Sequence, residues 1–396
     1  MKTVVLLRHK LTVYGGAELV LFKQAHFFAT QEYNVHIIVF EFNPEKLADH
    51  IGSLPLHVPR ATSFLSHVLF LRHILRTLRP DTIFIHENGH IHYWFARLLG
   101  LGCTPKTIMH LYGAFVWLTD SKLTRSWLHA RSMKRIRASL PGHQSFIMQK
   151  PVTSLLQRFL IELQAFLDKR AIRTIDHIIT FSKHTAWEIE TLYHRKPLIL
   201  AAGVDSDSFQ PVTARERLEL RKKFGYTAED RIIMTVNRLD PRKRVDLLIK
   251  SFAPIEAEDP HAHLAILGSG PEKERLASIV ESHKLQRVHF AGFVDNETLK
   301  SYYAISDIVA FPAWCAWGLV PIEALSMNVH VVVSCDAMVQ EAIAHIDGVS
   351  IAEPDEQSFT AELRKALTAK PIHTHDKVKH EFDWNEFFKR EINLLQ

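Results

Sequence analysis

The stretch FPAWCAWGLVPIEALSMNVHVVVS (Phe311–Ser334) decides the fold. It begins at the end of an apolar strand, Asp307–Phe311, and passes through a Trp-rich turn to Gly318. A helix is expected to begin near Pro321, because proline fits a first helical turn, where its missing N–H costs nothing. A second strand, His330–Ser334, closes the stretch. The order strand, glycine turn, helix, strand predicts a βαβ unit of a parallel sheet.

Glu323 lies in the first turn of this predicted helix. The free amides at the start of such a helix point towards the mouth of the sheet, where a phosphate can bind. A carboxylate in that turn is well placed to accept hydrogen bonds from a pair of sugar hydroxyls. It is also well placed simply to complement the helix dipole. The stretch alone leaves both interpretations open.

Length and composition limit the class of protein. The 396 residues suffice for two domains of about 150–200 residues each. An apolar content of 47% favours large cores over disorder, and the net charge of +5 suggests an anionic partner. Three cysteines (Cys103, Cys315 and Cys335) are too few for a disulfide framework and fit a reducing compartment. The first apolar run, Val4–Leu7, is too short for a signal peptide, so we expect a cytoplasmic protein.

The first half of the chain opens with a β-branched strand, Thr3–Leu7, followed by Gly15, Gly16 and a helix from about Ala17 to Ala29. Strand, glycines and helix in this order are typical of a phosphate or sugar-phosphate site, because glycines let the backbone approach a ligand closely. A simple tight turn explains the same residues.

Two histidines lie at or near the carboxyl ends of predicted strands of this half: His86 ends Asp81–His86, and His110 lies in Thr107–Tyr112. In doubly wound sheets the ligand crevice lies beyond the carboxyl ends of the strands, which favours a functional role. The chain has 25 histidines, so placement by chance competes with that interpretation.

The segment Lys122–Lys150 is basic and carries aromatic residues such as Trp127 and Phe146. A segment of this kind can lie on an anionic bilayer or hold a lipid-linked phosphate. A solvated helix face is the alternative.

The second half repeats the alternation of strand and helix, which predicts an α/β protein with parallel sheets in two similar halves. After the strand Ile232–Val236, four cations fall within the polar turn Asn237–Arg244: Arg238, Arg242, Lys243 and Arg244. Arginine forks and a lysine at the mouth of a sheet can neutralise a diphosphate that leaves as a dianion. A solvated basic loop is the alternative interpretation.

The motifs of the chain resemble, in content and order, those of the retaining glycosyltransferases of family 4. The motifs concerned are Gly15–Glu18, Ala202–Pro211, Asn237–Lys243, Gly268–Pro271, Gly292–Val294 and Gly318–Ala324. The resemblance implies the GT-B fold, with two Rossmann-like domains whose parallel sheets face a central cleft. It further implies an acceptor-binding domain (1–200), a nucleotide-sugar-binding domain (201–380) and a final helix (381–396) that crosses back to the first.

The resemblance also assigns roles to single residues. Arg238 and Lys243 would hold the donor diphosphate, His110 would align the donor sugar, and Glu323 would bind the ribose as the second Glu of an E-x7-E motif. Further donor contacts would come from Gly15, Gly16, His86, Phe293, Val294, Cys315, Gly318, Leu319 and Val320.

One departure from the family pattern concerns the transferred sugar. The first Glu of the motif is replaced by Cys315, and Ala337-Met338 stands where the family often has Gly-Gly before Glu341. A thiol is mostly neutral at pH 7 and a weak hydrogen-bond partner. Sugar handling is therefore expected to differ from that of the family.

The predicted function is retaining transfer of a hexosyl unit from GDP-mannose or a UDP-hexose to a glycan or lipid-linked glycan. No metal is expected, because the only suitably spaced acids, Asp205 and Asp207, fall in the predicted linker Asp205–Pro211. Peripheral contact with an anionic membrane through Lys122–Lys150 is expected, and nucleic acid is not. The alternatives are a nucleotide-sugar-binding subunit with little activity, because of Cys315, and a phosphorylase or epimerase on the same fold.

Overall fold

The computed structural model describes residues 1–12, 15–87, 89–112, 126–138, 154–315 and 317–394. The chain divides into two compact units. The first comprises Met1–Ala201 together with Phe387–Gln396, and the second comprises Ala202–Glu386. The boundary predicted at residues 200/201 therefore lies one residue from the division at Ala201.

The first unit is built around one parallel sheet. Its strands are β1 (Thr3–Leu11), β2 (Asn34–Phe42), β3 (Leu56–His57), β4 (Thr82–His86), β5 (Lys106–His110), β6 (His177–Thr180) and β7 (Leu198–Ile199). They lie in the order β3-β2-β1-β4-β5-β6-β7. The helices are α1 (Gly16–Thr30), α2 (Pro44–Ile51), α3 (Phe64–Leu78), α4 (His90–Leu98), α5 (Ala130–Ala138), α6 (Leu155–Arg173) and α7 (Lys183–Tyr193). A 3-10 turn, Trp127–His129, precedes α5.

The second unit repeats this plan. Its strands are β8 (Arg231–Val236), β9 (Ala262–Leu267), β10 (Val288–Gly292), β11 (Ile308–Phe311), β12 (His330–Ser334) and β13 (Val349–Ala352), in the order β10-β9-β8-β11-β12-β13. The helices are α8 (Ala214–Lys223), α9 (Val245–Glu258), α10 (Lys273–Ser282), α11 (Asn296–Ile305), α12 (Val320–Ser326), α13 (Gln340–Ile343), α14 (Glu356–Leu367) and α15 (His375–Phe382). The last helix, α16 (Trp384–Asn393), starts in this unit and continues as part of the first.

The order of the strands reverses at one point in each sheet. In the first unit β1 lies between β2 and β4, and in the second β8 lies between β9 and β11. Ile308 of β11 is in register with Ile233 of β8. Loops that follow neighbouring strands on the two sides of such a switch point diverge, and the crevice between them is where α/β sheets bind ligands. In the second unit those loops are Asn237–Arg244 and Pro312–Leu319.

The strands of the second unit are continuous apolar runs because both faces of the sheet belong to the core. Ile233, Leu264 and Ile308 of the sheet are fully buried against Phe252 of α9 and Phe359 of α14. A parallel sheet covered by helices has no face exposed to water, so its strands do not alternate with polar residues.

Most predicted elements are present. The helix Phe64–Leu78 and the strand His330–Ser334 have the predicted bounds, and the predicted α/β fold with two Rossmann-like units is confirmed. The linker prediction for Asp205–Pro211 is wrong, because this stretch packs within the second unit. There Val204 N–H donates to Phe382 O at 2.8 Å, and Lys379 pairs with Asp207 at 2.7 Å.

The predicted membrane segment Lys122–Lys150 lies largely outside the described residues, of which only 126–138 belong to it. Across the parts of the chain that the structure describes, no helix combines the length and the apolar character needed to cross a bilayer.

Candidate functional site

The polar turn after β8 is locally specified by its own sequence. Asp240 accepts a hydrogen bond from the backbone N–H of Arg242 at 3.1 Å and so caps the 3-10 turn Pro241–Lys243. Arg244 then adopts a left-handed conformation, with φ of 48°. Arg238 is exposed and Lys243 is half-buried, so both remain available at the carboxyl end of β8.

Arg244 differs from the other cations of the turn. Its side chain is buried and forms two hydrogen bonds with Asp336, at 3.0 and 2.7 Å, and Asp336 also accepts from the Ser334 hydroxyl at 2.6 Å. The pair joins the loop after β8 to the loop after β12. The prediction that all four cations neutralise a ligand is therefore wrong for Arg244, because a buried arginine held by two carboxylate oxygens is committed to the fold.

The loop after β11 is bonded to both of its neighbours. The Trp314 N–H donates to Arg242 O at 2.9 Å, which links it to the polar turn across the switch point. Cys315 forms a parallel bridge with Ala337, and its carbonyl accepts from Met338 N–H at 3.0 Å. These backbone bonds place Cys315 between the loops after β8 and β12.

The Phe311 ring lies close to both Lys243 and Gly318. The Lys243 ammonium lies 5.7 Å from the centroid of this ring, which is within range of a cation–π contact. A Cβ on Gly318 would approach Phe311 Cζ to 2.5 Å. Glycine at 318 is therefore required by packing against the ring that supports Lys243, in addition to any ligand contact of Gly318, Leu319 and Val320.

Glu323 is held by a tyrosine that the sequence did not single out. The Tyr303 hydroxyl donates to Glu323 Oε2 at 2.6 Å, and Tyr303 of α11 is fully buried. Burial raises the pKa of Glu323, and the hydrogen bond from Tyr303 opposes that shift. The bond fixes one carboxylate oxygen of Glu323, whose other oxygen is free of this contact.

Cys315 remains a neutral thiol in this environment. Burial raises its pKa, while the positive charge of Lys243 acts in the opposite direction. The residue that replaces the family's first Glu is therefore a weak, uncharged partner, as the sequence predicted.

The loops after β9 and β10 extend the same edge of the sheet. A Cβ on Gly268 would lie 1.9 Å from the carbonyl oxygen of Asn237, so glycine is required where the loops after β8 and β9 touch. Phe293, after β10, is 84% exposed, and Val294 is half-buried. The exposed ring is available to stack on a nucleotide base, which would be one form of the donor contact predicted for these two residues.

The Gly15–Glu18 motif opens α1 beside the end of β1 in the first unit. Arg8 pairs there with Glu18 at 2.7 Å and with Glu87 at 3.0 Å. A Cβ on Gly16 would meet no atom within 4 Å. Packing against the described residues does not explain the glycine, and the open space above it is compatible with the predicted contact to a phosphate.

His86 and His110 are both fully buried. His86 bonds Tyr112 at 2.6 Å and Gln24 at 2.8 Å, and burial lowers the pKa of His86 well below its usual value. His110 Nε2 lies 3.0 Å from Glu391 of α16, which also accepts from Gln24. Direct contact with a donor sugar remains a prediction that this burial does not favour, because His110 lies against Glu391 of the last helix and His86 is bonded to Tyr112 and Gln24.

A metal site is not apparent in the parts of the chain that are described, since they contain no group of three or more acids, histidines or cysteines arranged to hold an ion. Asp207, one of the two acids considered for that role, is paired with Lys379.

Two residues of the site that the sequence did not reveal act by holding other side chains in place. Tyr303 lies in the helix before β11, and Asp336 lies two residues beyond β12. A tyrosine in a helix and an aspartate in a turn are common, so neither spacing nor composition distinguishes them. Only their distances to Glu323 and Arg244 do so.

Comparison with known proteins supports the resemblance. Residues 216–381 match the family described as glycosyl transferases, group 1. A GDP-mannose-dependent monoacylated alpha-(1-6)-phosphatidylinositol monomannoside mannosyltransferase of Corynebacterium glutamicum is 28% identical over 57% of this chain and 64% of its own length. A GDP-mannose-dependent alpha-(1-6)-phosphatidylinositol monomannoside mannosyltransferase of Mycobacterium tuberculosis is 30% identical over 38% of this chain and 43% of its own length. The chain thus spans less than two thirds of the length of these relatives.

Solved structures share the fold over the whole chain. Sucrose-phosphate synthase of Thermosynechococcus elongatus superimposes with a TM-score of 0.73 at 18% identity, covering 100% of this chain and 98% of that one. Anabaena HepE, solved in complex with UDP and glucose, gives a TM-score of 0.73 at 17% identity, covering 100% and 99%. Residues 216–381 are therefore similar to the group 1 glycosyl transferases, and the chain as a whole has the GT-B fold of these solved structures.

Proposed function

We propose that the protein is a retaining hexosyltransferase that uses a nucleotide diphosphate sugar, GDP-mannose or a UDP-hexose, as donor. The acceptor is a hydroxyl of a glycan or lipid-linked glycan. The observation that carries the proposal is the backbone bond from Trp314 to Arg242, which joins the loops on the two sides of the switch point. It brings Lys243, Phe311 and Cys315 together at the carboxyl ends of β8 and β11.

The chemistry follows from these groups. Lys243 and Arg238 neutralise the diphosphate as it leaves, and stabilisation of developing charge is usually the largest catalytic contribution. Glu323 accepts hydrogen bonds from the ribose with the oxygen that Tyr303 leaves free. The leaving phosphate takes the proton of the acceptor hydroxyl. The reaction therefore needs no separate carboxylate base, and the replacement of a glutamate by Cys315 does not remove one.

Mannose is the sugar that the sequence relatives favour. The Corynebacterium and Mycobacterium tuberculosis relatives both carry GDP-mannose dependence in their names, whereas HepE was solved with UDP. We therefore expect the strongest thermal stabilisation with GDP-mannose in a screen that also contains UDP-glucose, because a bound donor stabilises the folded state by mass action.

The presence of Cys315 in place of a glutamate supports a second candidate, a binding protein without transferase activity. The two are separated by incubating the protein with GDP-mannose or UDP-glucose and measuring nucleoside diphosphate, with and without glycan and lipid-linked acceptors. Acceptor-dependent release identifies a transferase. Donor binding without release identifies the binding protein. Release that requires free phosphate, or an epimerised donor, identifies the phosphorylase or the epimerase.

Lys243→Ala tests the role of the ammonium. We expect turnover to fall about 100- to 1000-fold, since a preorganised charge at the leaving group is lost. The thermal midpoint should stay close to that of the wild type, because the side chain is only half-buried. Lys222→Ala, an exposed lysine of α8, is the matched control. Wild-type turnover in the Lys243 variant would refute the assignment.

Turnover should also persist in the presence of a chelator, because the proposal relies on cations of the protein and on no metal ion. Loss of activity that added Mg²⁺ or Mn²⁺ restores would refute this part.

A further inference from the structure

The first unit has an exposed apolar surface, which we call the α6 face. It comprises Trp127 of the 3-10 turn and five side chains of α6, each 41–67% exposed: Leu156, Phe159, Leu160, Leu163 and Phe166. Monomeric proteins rarely expose large contiguous apolar patches without a function. The face therefore calls for a partner.

The spacing shows that α6 has two apolar sides. Positions 156, 159, 160 and 163 follow the i, i+3, i+4, i+7 pattern of one helix face, yet they are the exposed ones. The opposite face, with Ile161, Ala165 and Ile172, is buried in the first unit. The core of the unit therefore accounts for only one of the two sides.

Hydrogen bonds hold the 3-10 turn and α6 together in the α6 face. Glu162 accepts hydrogen bonds from the Ser126 hydroxyl and from the Trp127 backbone N–H, both at 2.7 Å. Its carboxylate thus fastens the turn to the helix. Trp127, Phe159, Leu163 and Phe166 line one shallow depression along the face.

Cations border the α6 face. The Arg158 guanidinium lies 4.2 Å from the centre of the Trp127 ring, and that of Arg170 lies 5.2 Å from the Phe166 ring. In residues 126–138, which include α5, there is no acid, and Arg131, Lys134 and Arg135 are exposed.

The acids of α6 do not offset these charges. They are Glu162, which is bound to the turn, and Asp168, which is fully buried and lies 2.7 Å from His90. The surface is thus apolar in the middle and positive around it. This arrangement matches the boundary of an anionic bilayer, where apolar side chains enter the acyl region and arginines stay at the headgroups.

We propose that the α6 face docks the protein on an anionic lipid bilayer, with α6 lying in the plane of the interface. The sequence pointed to the basic segment Lys122–Lys150, and the proposed surface combines the described part of that segment with α6. The proposal stands independently of the glycosyl transfer, because its test is lipid binding, which requires neither donor nor acceptor.

The experiment is flotation of the intact protein with vesicles. One set is pure phosphatidylcholine, and the other contains about one third phosphatidylglycerol, which supplies the negative surface potential. The variants are Leu156→Gln/Phe159→Gln on the apolar face and Lys134→Gln/Arg135→Gln on the basic border. The matched controls are Leu65→Gln and Leu98→Gln, which are 63% and 64% exposed on α3 and α4.

We expect the wild type and both controls to float with the phosphatidylglycerol vesicles and to bind the neutral ones at least about tenfold more weakly. Each double variant should lose about tenfold or more of the binding to anionic vesicles, while keeping the thermal midpoint of the wild type. Because the four side chains are exposed, unfolding is not expected to cause the loss.

Three results would overturn the proposal. The first is a wild type that remains unbound to anionic vesicles. The second is binding by Leu156→Gln/Phe159→Gln equal to that of the controls. The third is a dimer in light scattering that this variant alone converts to monomer, which would assign the α6 face to a second copy of the chain.

Discussion

At the scale of single residues, Glu323 shows how a half-buried carboxylate can be kept for a ligand. Tyr303 holds one oxygen and leaves the other available, while the surroundings disfavour the charge, so the pKa is raised. An ionised Glu323 thus costs the free protein stability. That cost sets in as the pH rises through the raised pKa, because the folded state then loses a proton that it holds more tightly than the unfolded state.

The variant Glu323→Gln separates the effect of Glu323 on the stability of the fold from its effect on donor binding. At neutral pH we expect a thermal midpoint equal to or above that of the wild type, because glutamine can still accept from Tyr303 and carries no charge that is partly removed from water. Donor affinity should fall by about 2 kcal/mol, the usual contribution of a hydrogen bond to a charged group. Thermal shift and donor titration measure the two effects, with Glu297→Gln, an exposed acid of α11, as control.

The same residue gives donor binding a pH dependence. In the wild type, affinity should weaken as the pH falls through the raised pKa of Glu323, and therefore already above 4.5, the ordinary value for a glutamate. The Gln variant should lack this step. Tight donor binding by the variant at pH 7 would contradict the assignment of Glu323 to the ribose.

Residue roles could be predicted only where the side chain itself carries the chemistry. Lys243 and Glu323 were identified because a cation and a carboxylate follow neighbouring strands. Tyr303 and Asp336 were not, because they act by bonding to other side chains, and such a partnership has no local sequence signal. His110 was assigned to the donor sugar from the resemblance and from its place near a strand end, and its contact with Glu391 of α16 has no local sequence signal.

At the scale of elements, the Arg244–Asp336 pair compensates for an unfavourable backbone. A left-handed conformation costs a residue other than glycine about 1–2 kcal/mol. Arg244 adopts it at the start of α9, directly after Lys243, and its two bonds to Asp336 join the loops after β8 and β12. We therefore expect the pair to position Lys243, the residue that precedes Arg244.

A double-mutant cycle of Arg244→Gly, Asp336→Asn and both together tests this. Each single variant should lose stability, since a buried charge is left without its partner, and the double variant should recover part of the loss through a coupling energy of about 2 kcal/mol. In Arg244→Gly the KM for the donor should rise more than kcat falls. A cycle with no coupling, or single variants with an unchanged donor KM, would show that the pair does not position the turn.

At the scale of the whole molecule, α16 completes the interior of the first unit. Phe387 and Phe388 are buried there, and Glu391 bonds Gln24 while lying 3.0 Å from His110. The strongly apolar strands made both sheets predictable from sequence. Helices such as α8, with ARERLELRKK, were missed because so few of their residues are apolar.

Glu391→Leu should lower the stability of the first unit by about 2–3 kcal/mol, because Gln24 and His110 then lose a buried acceptor. Limited proteolysis and thermal denaturation follow the effect. Arg390→Gln, an exposed position on the same helix, should change stability by less than about 0.5 kcal/mol. Equal midpoints for the two variants would show that the buried network adds nothing.

Most of α16 belongs to the first unit, although it is synthesised at the end of the chain. We therefore expect the first unit, whose synthesis begins first, to complete its folding last. The ribosome releases residues 1–201 first, yet the part of α16 that belongs to their unit begins only at Phe387. At about 5–20 residues per second the intervening segment takes on the order of ten seconds to emerge. During that interval Phe27 and Phe181, whose rings contact Phe388 and Phe387 in the folded unit, lack these partners, and we expect the first unit to complete its interior last.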